Sequence, residues 1–228
     1  MSKGVFITGT DTGVGKTLVA AALLHAWAQQ GKRVAGMKPV ASGAEQHDGE
    51  LRNPDAVQLW ALSNVPARYE EVNPYVFAPP VAPHIAAAAT GREINIDTIS
   101  NTYRALSDRC ERIVVEGVGG WYVPLSQHHT MADVARDMAL PVVMVVCIRL
   151  GCLNHALLTQ DAIVSSGLKL AGWVANEADP AMERAAENIA GLIDRISAPL
   201  LAKLPYQAEP TAGTSAAVLD LACLEERL

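Results

Sequence analysis

GTDTGVGKT, residues 9–17, is the segment of this 228-residue chain that most restricts its possible folds. It follows the β-favouring run 5–8 and precedes the Ala- and Leu-rich stretch Leu18–Gln30, so a strand, a loop and a helix are predicted in that order. Glycines let backbone N–H groups turn toward an anion, and the helix start adds the positive end of its dipole. The segment therefore predicts a phosphate-binding P-loop, although five residues separate Gly9 from Gly15 where the usual motif has four.

The rest of the chain alternates apolar runs with helical patterns. Further strands are predicted at Arg33–Lys38, Arg112–Glu116, Pro141–Ile148, Leu170–Asn176 and Pro199–Leu204. Helices are predicted at Asp55–Leu62, Ile96–Cys110, Met131–Leu140, Asn154–Ser166 and Pro180–Ile196, with a loop over 41–54 and the least regular structure over 64–92. Buried strands separated by helices indicate one α/β domain over residues 1–228. It is P-loop NTPase-like, with a mostly parallel, doubly wound sheet that carries helices on both faces.

The composition excludes several classes of protein. Half of the residues are hydrophobic, 18% are charged, and the net charge is −6, which argues against a nucleic-acid partner. The four cysteines show no metal-ligand spacing, so we expect reduced thiols. The sequence has no signal-peptide pattern and no apolar run long enough for a transmembrane helix. These features predict a cytoplasmic protein with no membrane partner.

Three side chains at predicted strand ends suit phosphate chemistry. Lys16 can reach the β- and γ-phosphates of a nucleotide, and the Thr17 hydroxyl can bind Mg²⁺. Glu116 ends a buried strand, the position of the acidic residue that holds the metal in P-loop enzymes. Since ligands of doubly wound sheets bind beyond the carboxyl ends of the strands, we expect these groups to meet in one cleft.

Other functions share parts of this pattern. The glycines also fit the loop of short-chain dehydrogenases, but none of the five tyrosines has a lysine four residues later, so the proton-transferring pair is missing. A partitioning or site-placement ATPase has a similar loop with an early signature lysine, where this chain has Asp11. A non-catalytic paralogue is a third alternative, and five intact residues argue against it: Lys16, Thr17, Lys38, Asp55 and Glu116.

Several further motifs occur in order along the chain: GMKPVASG (36–43), RNPD (52–55), NPY (73–75), PH (83–84), VEGVGGW (115–121), PL (124–125), LGCLNHALLT (150–159) and GWVAN (172–176). Together with the loop at 9–17, they make the sequence resemble the dethiobiotin synthases over most of its length. The resemblance implies an enzyme with ATP as co-substrate and Mg²⁺ as cofactor. It also implies a homodimer with the substrate site near the subunit interface.

The resemblance implies a specific reaction. One amine of 7,8-diaminononanoate captures CO₂ as a carbamate, and a carbamate oxygen attacks the γ-phosphate of ATP to give a carbamic-phosphoric anhydride. The second amine then closes the cyclic urea of dethiobiotin, with ADP and phosphate as the other products. Two anions must meet in this reaction, so concentrated positive charge is needed.

The resemblance also implies roles for individual residues. Lys16 and Lys38 are the predicted catalytic residues, and Thr17, Asp55 and Glu116 are the predicted Mg²⁺ ligands. The predicted substrate-binding residues are Thr12, Ser42, Gly119, Gly151, Cys152, Leu153 and Asn154. The predicted ATP-binding residues are Gly13, Val14, Gly15, Lys16, Thr17, Leu18, Asp55, Glu116, Gly117, Val118, Gly119, Asn176, Glu177, Leu204, Pro205 and Tyr206.

Overall fold

The computed structural model describes residues 3–228, so residues 1 and 2 of the predicted domain lie outside the described part. The strands are β1 Lys3–Gly9, β2 Val34–Met37, β3 Val40–Ser42, β4 Glu45–His47, β5 Glu50–Arg52, β6 Tyr75–Phe77, β7 Arg112–Glu116, β8 Val142–Cys147, β9 Leu170–Asn176 and β10 Leu200–Leu204. The helices are α1 Lys16–Gln29, α2 Pro54–Leu62, α3 Tyr69–Val72, α4 Pro83–Thr90, α5 Ile96–Ser107, α6 Met131–Met138, α7 Cys152–Ser165, α8 Ala185–Ile193, α9 Ala212–Ala216 and α10 Leu221–Glu225.

Six of the strands form one parallel sheet in the order β10-β9-β8-β1-β7-β2. The chain leaves β1 through α1 and reaches β2, and β7 later fills the position between them. It then continues on the other side of β1 with β8, β9 and β10. The strand order thus reverses around β1, and a doubly wound sheet binds its ligands at such a reversal.

Helices cover both faces of the sheet, as the sequence predicts. Neighbouring residues of a strand point to opposite faces, so Phe6 packs with α5 to α8 while Ile7 packs with α1, α2 and α10. The second face includes Trp27 of α1, which is fully buried. Both faces of the central strands are buried under helices, which accounts for their nearly continuous apolar sequence.

The predicted elements of the sheet are confirmed with small shifts at their ends. The bounds of β7 and β9 agree with the prediction, and Gly31 follows α1 with φ of +75°, as a helix-ending glycine does. The helix predicted over Pro180–Ile196 is shorter, because α8 spans Ala185–Ile193. Within the described residues, no helix is long and apolar enough to cross a bilayer.

Two segments are more regular than the sequence predicts. The predicted loop over 41–54 contains a short hairpin of β4 and β5, and β3 pairs with β6 outside the main sheet. These strands have three residues each, too few to show an alternating pattern. The segment over 64–92 includes α4, which was not predicted, although Pro83 at its first turn and Gly91 after its last turn are helix-boundary signals.

Candidate active site

The candidate site lies beyond the carboxyl ends of β1, β7 and β2. The loop 9–17 follows β1, Glu116 is the last residue of β7, and Lys38 comes directly after β2. Because these strands are neighbours, the sheet brings a phosphate-type loop, a carboxylate and a second lysine to the same place.

The loop has the backbone of an anion-binding turn. Gly13 and Gly15 have φ of +72° and +99°, a region that other residues rarely adopt. A Cβ on Gly15 would stand 2.3 Å from the amide nitrogen of Asn176, so this position also has no room for a side chain. The Lys16 ammonium donates a hydrogen bond of 2.8 Å to the carbonyl of Asp11 and therefore lies over the concave side of the loop.

Four side chains make a compact polar cluster next to the loop. The Lys38 ammonium lies 2.5 Å from Oε1 of Glu116 and 2.7 Å from Oδ2 of Asp55. The Thr17 hydroxyl donates to the same Glu116 oxygen at 2.9 Å. Lys38 and Glu116 are 4% and 0% exposed, so their charges interact with little screening by water.

The cluster sets the charges of the two lysines. Burial lowers the pKa of Lys38, but the carboxylates of Glu116 and Asp55 outweigh it, and the pKa lies above its usual value. Burial and the charge of Lys38 lower the pKa of Lys16 to about 8. Burial raises the pKa of Asp55, but Lys38 outweighs it, and the net shift is downward. Lys38 is thus favoured in its charged form beside ionised Asp55.

A cavity of about 420 Å³ opens over this cluster. Eleven of the predicted site residues line it, namely Thr12, Gly13, Gly15, Lys16, Thr17, Lys38, Ser42, Asp55, Glu116, Val118 and Gly119. Asn53 also lines the cavity and was not predicted, although an Asn before Pro54 is a helix-start signal. The Ser42 hydroxyl is buried and has no hydrogen-bond partner in the described chain, so it is available to a ligand.

A second cavity of about 250 Å³ lies on the other side of the loop. Its lining includes seven of the predicted ATP-binding residues, namely Gly15, Leu18, Asn176, Glu177, Leu204, Pro205 and Tyr206. The side-chain amide of Asn176 donates to the carbonyl of Val14 at 2.9 Å. Asn176 therefore also ties the end of β9 to the phosphate loop.

Six predicted residues are absent from the lining of these two cavities. One is Val14, which is 1% exposed and whose carbonyl accepts from Asn176. The backbone N–H of Gly117 donates to Ile7, and a Cβ there would press on the ring of Phe6, so this glycine serves close packing. Gly151, Cys152, Leu153 and Asn154 form the start of α7 at the end of β8. This start is connected to the loop through Arg149, whose guanidinium lies 2.5 Å from the carboxylate of Asp11.

Comparison with known proteins agrees with this geometry. Residues 3–214 match a family described as an AAA domain. The chain is 50% identical to the ATP-dependent dethiobiotin synthetase BioD of Janthinobacterium sp. (strain Marseille), over 96% of this chain and 94% of that relative. The proteins of that name from Aromatoleum aromaticum and Pseudomonas aeruginosa are 50% and 49% identical, each over 95% of this chain and over 96% and 95% of their own lengths.

The chain belongs to the ATP-dependent dethiobiotin synthetase family. It is therefore an ATP-dependent ligase of biotin biosynthesis, and the family predicted from the motifs is confirmed.

Solved structures with a similar fold include proteins of other functions. The septum site-determining protein MinD of Pyrococcus horikoshii aligns over 99% of this chain and 90% of its own, with a TM-score of 0.59 and 18% identity. MinD of Aquifex aeolicus aligns over 99% of this chain and 95% of its own, with a TM-score of 0.60 and 16% identity. At this identity the likeness concerns the fold alone, and it confirms the predicted P-loop NTPase-like α/β fold.

Proposed function

We propose that the protein converts 7,8-diaminononanoate, CO₂ and ATP into dethiobiotin, ADP and phosphate through a carbamate and a carbamic-phosphoric anhydride. Family membership supports ATP-dependent dethiobiotin synthesis. One observation carries the finer proposal: Lys38 is a buried ammonium, held by Glu116 and Asp55, in the wall of the cavity that Lys16 and Thr17 also line.

The need for this second lysine follows from charge. A carbamate and a γ-phosphate repel each other, and in a cavity that excludes water the repulsion is large. Lys16 at the loop can stabilise the phosphate oxygens as charge moves onto the β–γ bridge. Lys38 can hold the carbamate oxygen against the γ-phosphorus without a proton transfer, because its neighbours keep it charged. The two cations thus bring together groups that would otherwise separate.

We assign the remaining nucleotide and substrate contacts from the residues that line the two cavities. We propose that the phosphates lie against 13–17, 118 and 119, and that the base lies between Leu18, Asn176, Glu177 and 204–206. An amide such as that of Asn176 can match the donor and acceptor edge of adenine. Thr12 and Ser42 face the larger cavity, where their hydroxyls can hold the carbamate or an amine.

The chemistry of the cluster fits Mg²⁺. Thr17, Asp55 and Glu116 offer hard oxygen donors of the kind that Mg²⁺ prefers. Oε2 of Glu116 is buried and has no hydrogen-bond partner among residues 3–228, which leaves it free for a cation. Within the same residues no group of three or more His, Cys, Asp or Glu side chains could hold a metal, as expected where nucleotide phosphates and water complete the coordination. Bound Mg²⁺ would neutralise charge on the phosphates.

The substrate tail and the oligomer form one connected proposal. The first turn of α7 leaves backbone N–H groups that can bind a carboxylate. Within one chain, Gly151 and Leu153 do not line the larger cavity. We propose that the protein is a homodimer in which this turn approaches the neighbouring subunit's cavity and holds the carboxylate of diaminononanoate.

Product analysis with each substrate omitted in turn tests the proposal. We expect dethiobiotin and phosphate to form together only when ATP, Mg²⁺, diaminononanoate and bicarbonate are all present. Phosphate release that does not depend on the diamine would identify an ATPase of another function. A reaction that proceeds without a carbon source would exclude the carbamate.

A further inference from the structure

A buried polar group lies behind Lys38 and Asp55. It consists of Asn53, Tyr69 and Asn73, which are 5%, 4% and 2% exposed, and we call it the Tyr69 network. Tyr69 begins the short helix α3, and Asn73 follows that helix directly. Buried polar side chains are costly unless they are hydrogen-bonded, so the partners of this group indicate what it holds in place.

One arm of the network fixes the backbone of Lys38. The hydroxyl of Tyr69 donates to the side-chain oxygen of Asn73 at 3.0 Å. The amide nitrogen of Asn73 donates to the carbonyl of Lys38 at 2.6 Å. The backbone N–H of Lys38 in turn donates to the carbonyl of Val72 at 2.8 Å. Both backbone polar groups of Lys38 are therefore held by the segment that begins with Tyr69.

The other arm fixes the start of α2, which carries Asp55. The backbone N–H of Asn53 donates to the oxygen of Tyr69 at 2.8 Å. The side-chain oxygen of Asn53 accepts from Ala56 at 3.3 Å and so caps the helix, while its amide donates to the carbonyl of Ser42 at 3.3 Å. The Tyr69 hydroxyl thus joins the two backbone segments whose side chains meet in the Lys38–Asp55 ion pair.

We propose that Tyr69 is a positioning residue for the ligase reaction, acting through its hydroxyl on Lys38 and Asp55. This inference rests on the proposed function of those two residues. Its physical basis is that reacting groups must be held closely, since a displacement of about 1 Å can cost roughly 10²-fold in rate. A hydroxyl that accepts from one segment and donates to the other sets their separation more firmly than apolar packing.

The ring of Tyr69 makes separate contacts, which allows a clean substitution. The guanidinium carbon of Arg52 lies 3.9 Å from the ring centroid, and the ring of Trp60 packs edge-on at 5.7 Å. Tyr69→Phe keeps these contacts and removes only the hydroxyl. Trp60→Phe is a matched control, because it removes the hydrogen bond from the Trp60 indole to Ala67 in the same cluster but leaves the network intact.

The first measurement is dethiobiotin formation and ADP affinity for each variant, with rates expressed per folded molecule from urea-unfolding curves. We expect Tyr69→Phe to lower kcat about tenfold and to change ADP affinity by less than about twofold, because the phosphate loop lies outside the network. We expect Trp60→Phe to lower the stability against urea but to leave kcat unchanged. Asn73→Thr removes the amide donor to the Lys38 carbonyl and is expected to lower kcat in the same way. It replaces Tyr69→Phe in the test if that variant folds poorly.

The second measurement asks whether Tyr69 acts by holding Lys38 and Asp55 together as an ion pair, since Asp55→Asn removes the charge from one partner. In an Asp55→Asn background, Tyr69→Phe should lower kcat by less than about twofold, while its effect on the urea midpoint stays the same as in the wild type. A normal kcat in Tyr69→Phe, or an equal loss in both backgrounds, overturns the inference. Normal turnover in both Lys38→Ala and Asp55→Asn would instead overturn the proposed function, whatever Tyr69 does.

Discussion

At the scale of single residues, Lys38 separates this ligase from a simple ATPase. An ATPase needs one lysine on the phosphates, whereas a carbamate-phosphorylating enzyme has a use for a second cation. Lys38→Ala should lower dethiobiotin formation by roughly two orders of magnitude, about 3 kcal/mol in the transition state. ATP-analogue binding should survive better than in Lys16→Ala. Product formation and nucleotide binding are measured on the same folded variant.

Two companion variants sharpen this test. Lys38→Met keeps most of the side-chain volume next to Glu116 and Asp55, so a loss shared with Lys38→Ala is a loss of charge. Lys203→Ala removes an exposed lysine near the end of β10 and should leave the rate unchanged. Near-normal product formation in both Lys38 variants would show that the carbamate is held by other groups.

Lys16 acts on the phosphates themselves. Its ammonium lies over the loop at the Asp11 carbonyl, where the β- and γ-phosphates are proposed to bind. Lys16→Ala should reduce turnover by roughly 10²–10³-fold or more while the protein stays folded. Circular dichroism and phosphate release measured together check this expectation. A folded Lys16→Ala protein with wild-type phosphate release would contradict the assignment of the loop.

Glu116 tests the proposed metal site. Glu116→Gln keeps an oxygen for the Thr17 hydroxyl and for Lys38 but removes the negative charge. The Mg²⁺ concentration for half-maximal rate should rise about tenfold, which corresponds to about 1.4 kcal/mol. The control is Glu111→Gln, which alters a partly exposed carboxylate just before the other end of β7. If Glu116→Gln needed no more Mg²⁺ for half-maximal rate than Glu111→Gln, Glu116 would have a structural role instead.

At the scale of helices and strands, the sequence predicts best where an apolar run ends in a functional residue. The strands β7 and β9 are continuous apolar segments that finish at Glu116 and Asn176, so both their bounds and their site residues were predictable. The hairpin of β4 and β5 was not, because five of its six strand residues are polar and its pairing depends on a turn at Asp48 and Gly49, both with positive φ.

The Tyr69 network also could not be predicted from periodicity or spacing in the sequence. Its hydrogen bonds join residues that are 16 and 35 positions apart in the chain, and neither periodicity nor spacing encodes such pairs. The motif NPY contains Asn73, but its role becomes visible only when its amide is found on the Lys38 carbonyl. Residues that bind ligands at strand ends follow from topology, whereas residues that hold them in place follow from packing.

The short helix α3 offers a test of stability against pH. Burial raises the pKa of Glu71, but the N–H of Arg68 and the guanidinium of Arg109 outweigh it, so the pKa lies below its usual value. A lowered pKa gives stability that is present above the unfolded-state pKa and is lost as the pH falls through the folded-state value. Glu71→Gln should therefore lower the free energy of unfolding by about 1 kcal/mol at pH 7.

Urea unfolding between pH 7 and pH 3 measures this effect. The difference between wild type and Glu71→Gln should shrink as the pH falls below about 4, where the carboxylate of the unfolded chain is also protonated. Glu70→Gln is the matched control, because Glu70 is the exposed neighbour on the same helix. A difference that stays constant with pH would show that the charge of Glu71 does not hold α3 to Arg109.

At the scale of the whole molecule, the proposed dimer is supported by exposed apolar side chains in α7 and just before it. Leu150 is 94% exposed, and Leu153, Leu158 and Val164 are exposed at 38%, 61% and 53%. Large apolar side chains exposed along one helix favour contact with another protein. The same segment begins with the turn proposed to hold the substrate carboxylate, so loss of the dimer should also weaken substrate binding.

Leu158→Glu tests both consequences, since a buried unpaired carboxylate opposes association. In sedimentation, the wild type should behave as two 24.2 kDa chains and Leu158→Glu as one. The KM for the diamine should rise about tenfold or more in the variant, because hydrogen bonds to its charged carboxylate are lost. Val218→Glu alters another exposed apolar residue, in the turn between α9 and α10, and should leave mass and KM unchanged. A monomeric Leu158→Glu protein with a normal KM would mean that each subunit binds the substrate tail alone, and a dimeric one would move the interface away from α7.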